Sequence, residues 1–234
     1  MDVLAEVWRR ALVTQDRPSV QVIAATAFVA AFLVLAPGVW PVARHVVTIA
    51  HEGAHGLAAL LSGRRLAGIR LHSDTSGLTV SSGRPTGFGM VLTSFAGYVG
   101  PALLGLGAAF LLAAGRAGGL LWGLLLLLAL LLVQIRNWFG LWSVLVSGGV
   151  VFAASWWLPE RGLSAFAYLV AWFLLLSAPR PVLELQTKRW RGQARNSDAD
   201  MLARLTGVPG VVWVGVFLVV TVGAALLGGR VIVA

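Results

Sequence analysis

Long apolar runs alternate with short polar breaks along most of the chain after residue 18. Each run is close to the roughly 20 residues that a helix needs to cross a membrane. We predict seven spans, at residues 19–36, 40–61, 88–114, 118–133, 138–158, 163–178 and 208–227. The stretch 118–158 can also be read as one full helix with a re-entrant piece, so six spans are possible.

Residues 66–83 follow a different pattern. Ile69 and Leu71, then Leu78 and Val80, alternate with other positions around a Ser-Asp-Thr-Ser-Gly stretch. This alternation is typical of a β-hairpin, and the segment is too polar to span. The sequence therefore predicts an all-α polytopic membrane protein with one small β-hairpin after the second span. We expect a single membrane-embedded domain over residues 1–234.

The composition supports this fold class. Hydrophobic residues make up 58% and charged residues 12% of the chain, against about 45–50% and about 25% in soluble domains. The lipid bilayer is therefore an expected partner. The chain has no cysteine, which excludes thiolate metal sites and leaves His, Asp and Glu as metal ligands. Its net charge of +9 comes with no recognised nucleic-acid-binding motif, so we expect no nucleic-acid partner.

The distribution of basic residues predicts an orientation. With seven spans and a cytoplasmic N-terminus, fourteen of the 18 Lys and Arg residues fall on the cytoplasmic side. The positive-inside rule favours this arrangement. We therefore expect a cytoplasmic segment at residues 1–18, a basic cytoplasmic connector at 179–197, and a C-terminus outside.

The second span contains His51-Glu52-Gly53-Ala54-His55. A helix brings residues i and i+4 to one face, so His51 and His55 can bind one Zn²⁺ while Glu52 is suited to act as general base. The alternative is a pair of packing histidines beside an ion-paired glutamate. Because ionisable groups at bilayer depth are costly, three of them in five residues favour a functional site.

A catalytic zinc usually takes three protein ligands. His55 lies about seven residues before the inner end of its span, roughly 10 Å below the cytoplasmic surface. Asp198 and Asp200 follow the sixth span on that side, although either the first of them or Ser197 could simply cap a helix. The other candidates are less well placed or more typical of turns: His45, His72, Asp74 and Glu184.

Four separate segments together resemble the site-2 protease family of intramembrane zinc metalloproteases. Within that family the chain is most similar to a compact bacterial branch without PDZ or CBS domains. The resemblance covers about residues 40 to 215. Its segments are TIAHEGAHG at 48–56, AGYVGP at 96–101, RNWFG at 136–140, and SDADMLA at 197–203 with TGVP at 206–209 and Trp213.

The resemblance implies one zinc ion per chain, held by His51, His55 and a distant aspartate in the cytoplasmic half of a bacterial cytoplasmic membrane. Asp198 matches that aspartate best, with Asp200 as the alternative, since Ala199 stands where the family usually has glycine. Glu52 would activate water to hydrolyse a peptide bond in or near the transmembrane segment of a membrane protein.

Further residues are candidates for binding this substrate. Asn137 and Asn196 are polar residues that could lie near the zinc or the substrate. The hairpin from Gly68 to Ser82 offers a strand edge that could capture an unwound segment by β-augmentation.

Two other functions use the same features. An inactive membrane scaffold of the same fold would be expected to have lost Glu52, which is present here. A metal transporter usually has ionisable residues on several spans, whereas the fourth to seventh predicted spans are nearly free of them. The sequence leaves the identity of the substrate and the oligomeric state open.

Overall fold

The structure is a computed structural model that describes residues 3–194 and 196–234. In these residues the chain forms ten helices and one two-stranded antiparallel sheet, as the predicted fold class requires. In chain order the elements are α1 (Val3–Leu12), α2 (Val20–Leu35), α3 (Trp40–Leu61), β1 (Arg65–Leu71), β2 (Gly77–Ser82), α4 (Phe88–Ala113), α5 (Ala117–Gln134), α6 (Trp138–Trp157), α7 (Glu160–Ser177), α8 (Pro179–Trp190), α9 (Asp198–Thr206) and α10 (Gly210–Val233).

The described residues contain five helical segments that are long and apolar enough to cross a membrane. These are α4, α5, α6, α7 continued by α8, and α10. The pair α2 and α3 passes the same test only when taken together, and the chain bends by 100° between them. The count is therefore five, or six if the bent pair is one span, and the predicted seven is not confirmed.

The difference from seven comes from the two predicted spans at residues 19–36 and 40–61. With 16 residues, α2 is about 24 Å long, less than the roughly 30 Å of hydrocarbon in a bilayer. With 22 residues, α3 is long enough to cross a membrane, but it carries several ionisable side chains. Residues 118–158 form two separate helices, α5 and α6, and not a helix with a re-entrant piece.

The two ends of α4 define opposite ends of the helical bundle. At its first turn, Gly89 packs against Ser62, at the end of α3 and next to the hairpin. Its 26 residues then extend for about 39 Å. Beyond its last turn, the carbonyl of Gly115 accepts a hydrogen bond from the amide of Gln15 (2.8 Å). Residues near position 15 therefore lie at the end opposite the hairpin.

Other contacts agree with this separation. Arg17 donates to the carbonyls of Ile232 and Val233 near the end of α10 (2.9 and 2.6 Å), and Arg10 donates to that of Trp156 near the end of α6 (2.8 Å). The prediction places residues 1–18 on the same side as the hairpin, whereas residues 10–17 lie at the end of the bundle opposite the hairpin. The prediction counted α2 and α3 as two complete crossings of the membrane. Counted as one crossing, the bent pair places the residues before α2 at the end opposite the hairpin.

Small residues allow the helices to pack closely, as is common in membrane bundles. Ala30, Ala109 and Ala171 are completely buried where α2, α4 and α7 meet. Gly105 of α4 and Gly228 of α10 both face Leu175 of α7, and a Cβ on either glycine would lie within 3.1 Å of this leucine.

The predicted hairpin is present as β1 and β2, whose register pairs Leu71 with Gly77 and Ile69 with Thr79. The outer edge of β1 is not free. The amide of Arg136 donates to the carbonyl of Ile69 (2.9 Å), and the side chain of Asn137 bonds both the amide and the carbonyl of Leu71 (3.2 and 2.7 Å). Within the described residues, no backbone hydrogen bond joins the outer edge of β2 to another element, so this edge is open.

A polar network stabilises the bend between α2 and α3. Glu184 of α8 forms ion pairs with Arg44 (3.3 Å) and Arg180 (3.4 Å) and accepts a hydrogen bond from the indole of Trp40 (2.7 Å). Arg180 also donates to the carbonyl of Val34, which lies in the last turn of α2. The charged groups beside the bend are therefore paired, as is usual for ionisable side chains among apolar helices of membrane proteins.

Candidate metal centre

The histidines of the HExxH sequence lie one turn apart on α3 and face each other. Their Nε2 atoms are 3.1 Å apart. The Nδ1 atom of His55 lies 2.7 Å from the carbonyl oxygen of Thr93 on α4. Because a carbonyl can only accept, Nδ1 carries the proton, and the lone pair of Nε2 in the neutral ring is left for a metal ion.

Asp198 approaches this pair from α9. Its Oδ2 atom lies 3.3 Å from the Nε2 atoms of both His51 and His55. In the described part of the chain, these three side chains form the one group of His and acidic residues that could hold a metal ion, with ligand atoms within 4.8 Å of one another. Two imidazole nitrogens and one carboxylate oxygen are a donor set that suits zinc and leaves a fourth position open.

The start of α9 holds Asp198 in place and gives Asp200 a different partner. Ser197 caps the helix by accepting a hydrogen bond from the amide of Asp200, whose carboxylate bonds back to the amide of Ser197. The same carboxylate forms an ion pair with Arg189 of α8. Burial alone would raise the pKa of Asp200, but the bonds from Arg189 and Ser197 hold it below its usual value. The structure thus brings Asp198, and not Asp200, to the histidines.

Glu52 is buried beside this group, with 5% of its surface exposed. Its Oε2 atom accepts a hydrogen bond of 2.6 Å from the hydroxyl of Thr79 on β2. Gly77 lies directly against the same side chain, since a Cβ there would be 2.5 Å from Oε1. The hairpin therefore covers Glu52.

The opposite wall of the site is a face of α4 made of small residues. A Cβ on Gly97 would lie less than 3 Å from the rings of both His51 and His55, and one on Gly100 would overlap Ala54. Tyr98 meets the ring of His51 edge-on at 4.8 Å and stacks on Phe217 at 5.0 Å. The glycine positions of the AGYVGP segment therefore allow α4 to approach the face of α3 that carries the two histidines.

The remaining sequence candidates have other partners. Asn137 bonds the backbone of β1, as described above, and Asn196, in a left-handed conformation (φ 69°), accepts a bond of 3.4 Å from Arg204. The side chain of Asp74 bonds Ser76 within the hairpin turn, where His72 lies 3.4 Å from the same serine. Glu184 belongs to the polar network at the bend, and His45 packs on Phe139.

Three contributors to the site were not identified from the sequence: Thr79, Thr93 and Tyr98. Thr79 lies inside the predicted hairpin and Tyr98 inside the AGYVGP segment. The sequence therefore indicated the segments that contain them, but not the contacts that they make. Thr93 acts through its backbone carbonyl, which every residue type has. No residue-type signal could have identified it.

The fold and the site together define an integral membrane protein with a His-His-Asp group suited to one metal ion. Comparison with protein families agrees: the family model described as Peptidase M50B-like matches residues 24–228. The chain therefore belongs to this family of membrane metalloproteases, which confirms the resemblance to site-2 proteases. A compact form without a PDZ domain is consistent with this match. Neither a search of the curated proteins nor a search of the solved structures found a match.

The packing of α4 on the histidines makes Gly97 a test of the site geometry. We expect Gly97→Ala to weaken zinc binding at least about tenfold, the lower end of the effect of displaced supporting contacts, because its methyl group would overlap both rings. Gly107→Ala is the matched control, since a Cβ at this position of the same helix meets no atom within 4 Å. Zinc titration of both folded variants in detergent measures the difference, and equal affinities would contradict the described packing.

Proposed function

We propose that the protein is a zinc-dependent intramembrane endopeptidase that hydrolyses peptide bonds in or near transmembrane segments of membrane proteins. The observation that carries this proposal is the meeting of His51, His55 and Asp198 beside a buried Glu52 on a membrane helix. Membership of the Peptidase M50B-like family supports the class of reaction.

The residues of the site have distinct roles in this proposal. His51, His55 and Asp198 would hold the zinc ion, and when bound this ion would supply Lewis-acid activation of a water molecule and of the peptide carbonyl. Glu52 accepts the proton of the attacking water and passes it to the leaving amine. The carbonyl of Thr93 keeps the ring of His55 in the tautomer that offers Nε2.

The substrate would bind as an extended strand. A transmembrane helix ties up its carbonyls in internal hydrogen bonds, so it must unwind before hydrolysis, and an open strand edge can take up the freed groups. Since residues 135–137 occupy the outer edge of β1, the edge of β2 is the better candidate within the hairpin. Its outward Leu78 and Val80 are about half exposed, which suits contact with an apolar segment.

Hydrolysis depends on Glu52 in this proposal, and Glu52→Gln tests it. We expect the variant to keep about one zinc per chain and to lose cleavage by at least about a hundredfold, the lower end of the range for a general base. The assay measures cleavage of quenched-fluorescent transmembrane peptides in detergent. Glu160→Gln, at an exposed position, is the control and should cleave like the wild type. An active Glu52→Gln, or a zinc-loaded wild type that cleaves none of the peptides, would contradict the proposal.

We also propose that the hairpin end of the bundle faces the cytoplasm. Among the described residues, this end carries nine cations outside the polar network at the bend, and the opposite end carries six. The nine are Arg64, Arg65, Arg70, Arg84, Arg136, Lys188, Arg189, Arg191 and Arg204, and the six are Arg9, Arg10, Arg17, Arg116, Arg161 and Arg230. The positive-inside rule favours this orientation. Residues 3–17 would then lie outside.

The orientation can be tested directly because the chain has no cysteine. Single substitutions Thr14→Cys and Ser82→Cys introduce a thiol at exposed positions at the two ends of the bundle. With a membrane-impermeant maleimide, we expect intact cells to label the former, and only permeabilised cells to label the latter. The reverse pattern, or labelling of both from one side, would overturn the proposed orientation.

A further inference from the structure

One face of α3 fastens the hairpin through three side chains spaced four residues apart. Arg44 donates to the hydroxyl of Thr75 (2.8 Å), Thr48 donates to the carbonyl of Thr75 (3.0 Å), and Glu52 accepts from Thr79 (2.6 Å). Residues i, i+4 and i+8 share a helix face, so the hairpin lies along α3 from its tip to β2. Of the three bonds, the one from Thr79 reaches the carboxylate of the proposed general base.

The contact with β2 distinguishes the two oxygens of Glu52. The hydroxyl of Thr79 lies 2.6 Å from Oε2 and 3.1 Å from the backbone carbonyl oxygen of Glu52, so the shorter of its two contacts is with the carboxylate. Oε1 accepts no hydrogen bond within the described part of the chain. Gly77 lies two residues before Thr79 and thus on the same face of β2. Because it has no side chain, it leaves room for Oε1, where a Cβ would lie at 2.5 Å.

We propose that Thr79 is a positioning residue for hydrolysis, which orients Glu52 so that Oε1 takes the proton from water. The inference rests on the proposed function, in which Glu52 is the base. By holding Oε2, the hydroxyl fixes the rotation of the carboxylate. The proton then moves from water to Oε1 and from Oε1 to the leaving amine, and Thr79 keeps its own proton throughout.

The arrangement also couples substrate binding to the base. The strand with the open edge, β2, is the strand that carries Thr79 and Gly77. A substrate strand added to that edge would therefore be fixed relative to the same element that orients Glu52. A correctly bound substrate and a correctly oriented base would thus depend on one strand.

Thr79→Val tests the proposal because it removes the hydroxyl and nearly conserves the volume. We expect its kcat on the peptide that the wild type cleaves fastest to fall about tenfold to a hundredfold, as for a misplaced catalytic group. KM and the zinc content should stay at the wild-type values, and Thr79→Ser should restore most of kcat because it restores the donor. Gly77→Ala should lower kcat in the same way, since its methyl group would displace Oε1.

Thr48→Val is the matched control, because it removes a threonine bond to the same hairpin without touching Glu52. If it lowers kcat as much as Thr79→Val, or if Thr79→Ser fails to restore kcat, the hydroxyl only stabilises the hairpin and the proposal is overturned.

A second overturning result is a Thr79→Val variant that loses zinc or its fold while Thr79→Ser stays fully active, because this result indicates a structural role for the hydroxyl. An active Glu52→Gln would instead overturn the proposed function, whereas an inactive Glu52→Gln beside a fully active Thr79→Val would overturn the role of Thr79 alone.

Discussion

The cost of ionisable side chains in a bilayer is the constraint on which the rest of this structure depends. Four of the five ionisable side chains of α3 have polar partners, and the three partners come from three different elements. Arg44 pairs with Glu184 of α8, both histidines with Asp198 of α9, and Glu52 with Thr79 of β2. The polar face of α3 thus determines which parts of the chain gather around it.

The packing of α4 and the cap of α9 allow these partners to reach α3. Glycines 97 and 100 let α4 approach α3 closely enough for the Thr93 carbonyl to reach His55. The capping box at Ser197 and the ion pair between Arg189 and Asp200 fix the turn that delivers Asp198. Both the hairpin and α9 reach the site from the same end of the bundle.

Local patterns could be predicted from the sequence, and long-range geometry could not. The spacing of His51 and His55 follows from helix periodicity, and the alternation around Leu78 indicates a strand. Asp200 could have been recognised as part of a capping box from the Ser-x-x-Asp spacing, which would have left Asp198 as the candidate ligand. Hydropathy counts apolar segments but not their directions. The turn at Pro37-Gly38 therefore indicated a loop between two complete spans, whereas the structure has a 100° bend there. Residues 10–17 accordingly lie at the end of the bundle opposite the hairpin. The contact of Thr79 with Glu52 joins residues 27 positions apart.

His51, His55 and Asp198 form one candidate metal site, and Asp200 pairs with Arg189 outside it. The most direct measurement is the zinc content and affinity of the purified full chain in detergent, for the wild type and for Asp198→Asn and Asp200→Asn. We expect about one zinc per chain in the wild type and in Asp200→Asn, and binding at least about tenfold weaker in Asp198→Asn. A wild type that binds no zinc, or binding that depends on Asp200 and not on Asp198, would contradict this assignment of the metal site.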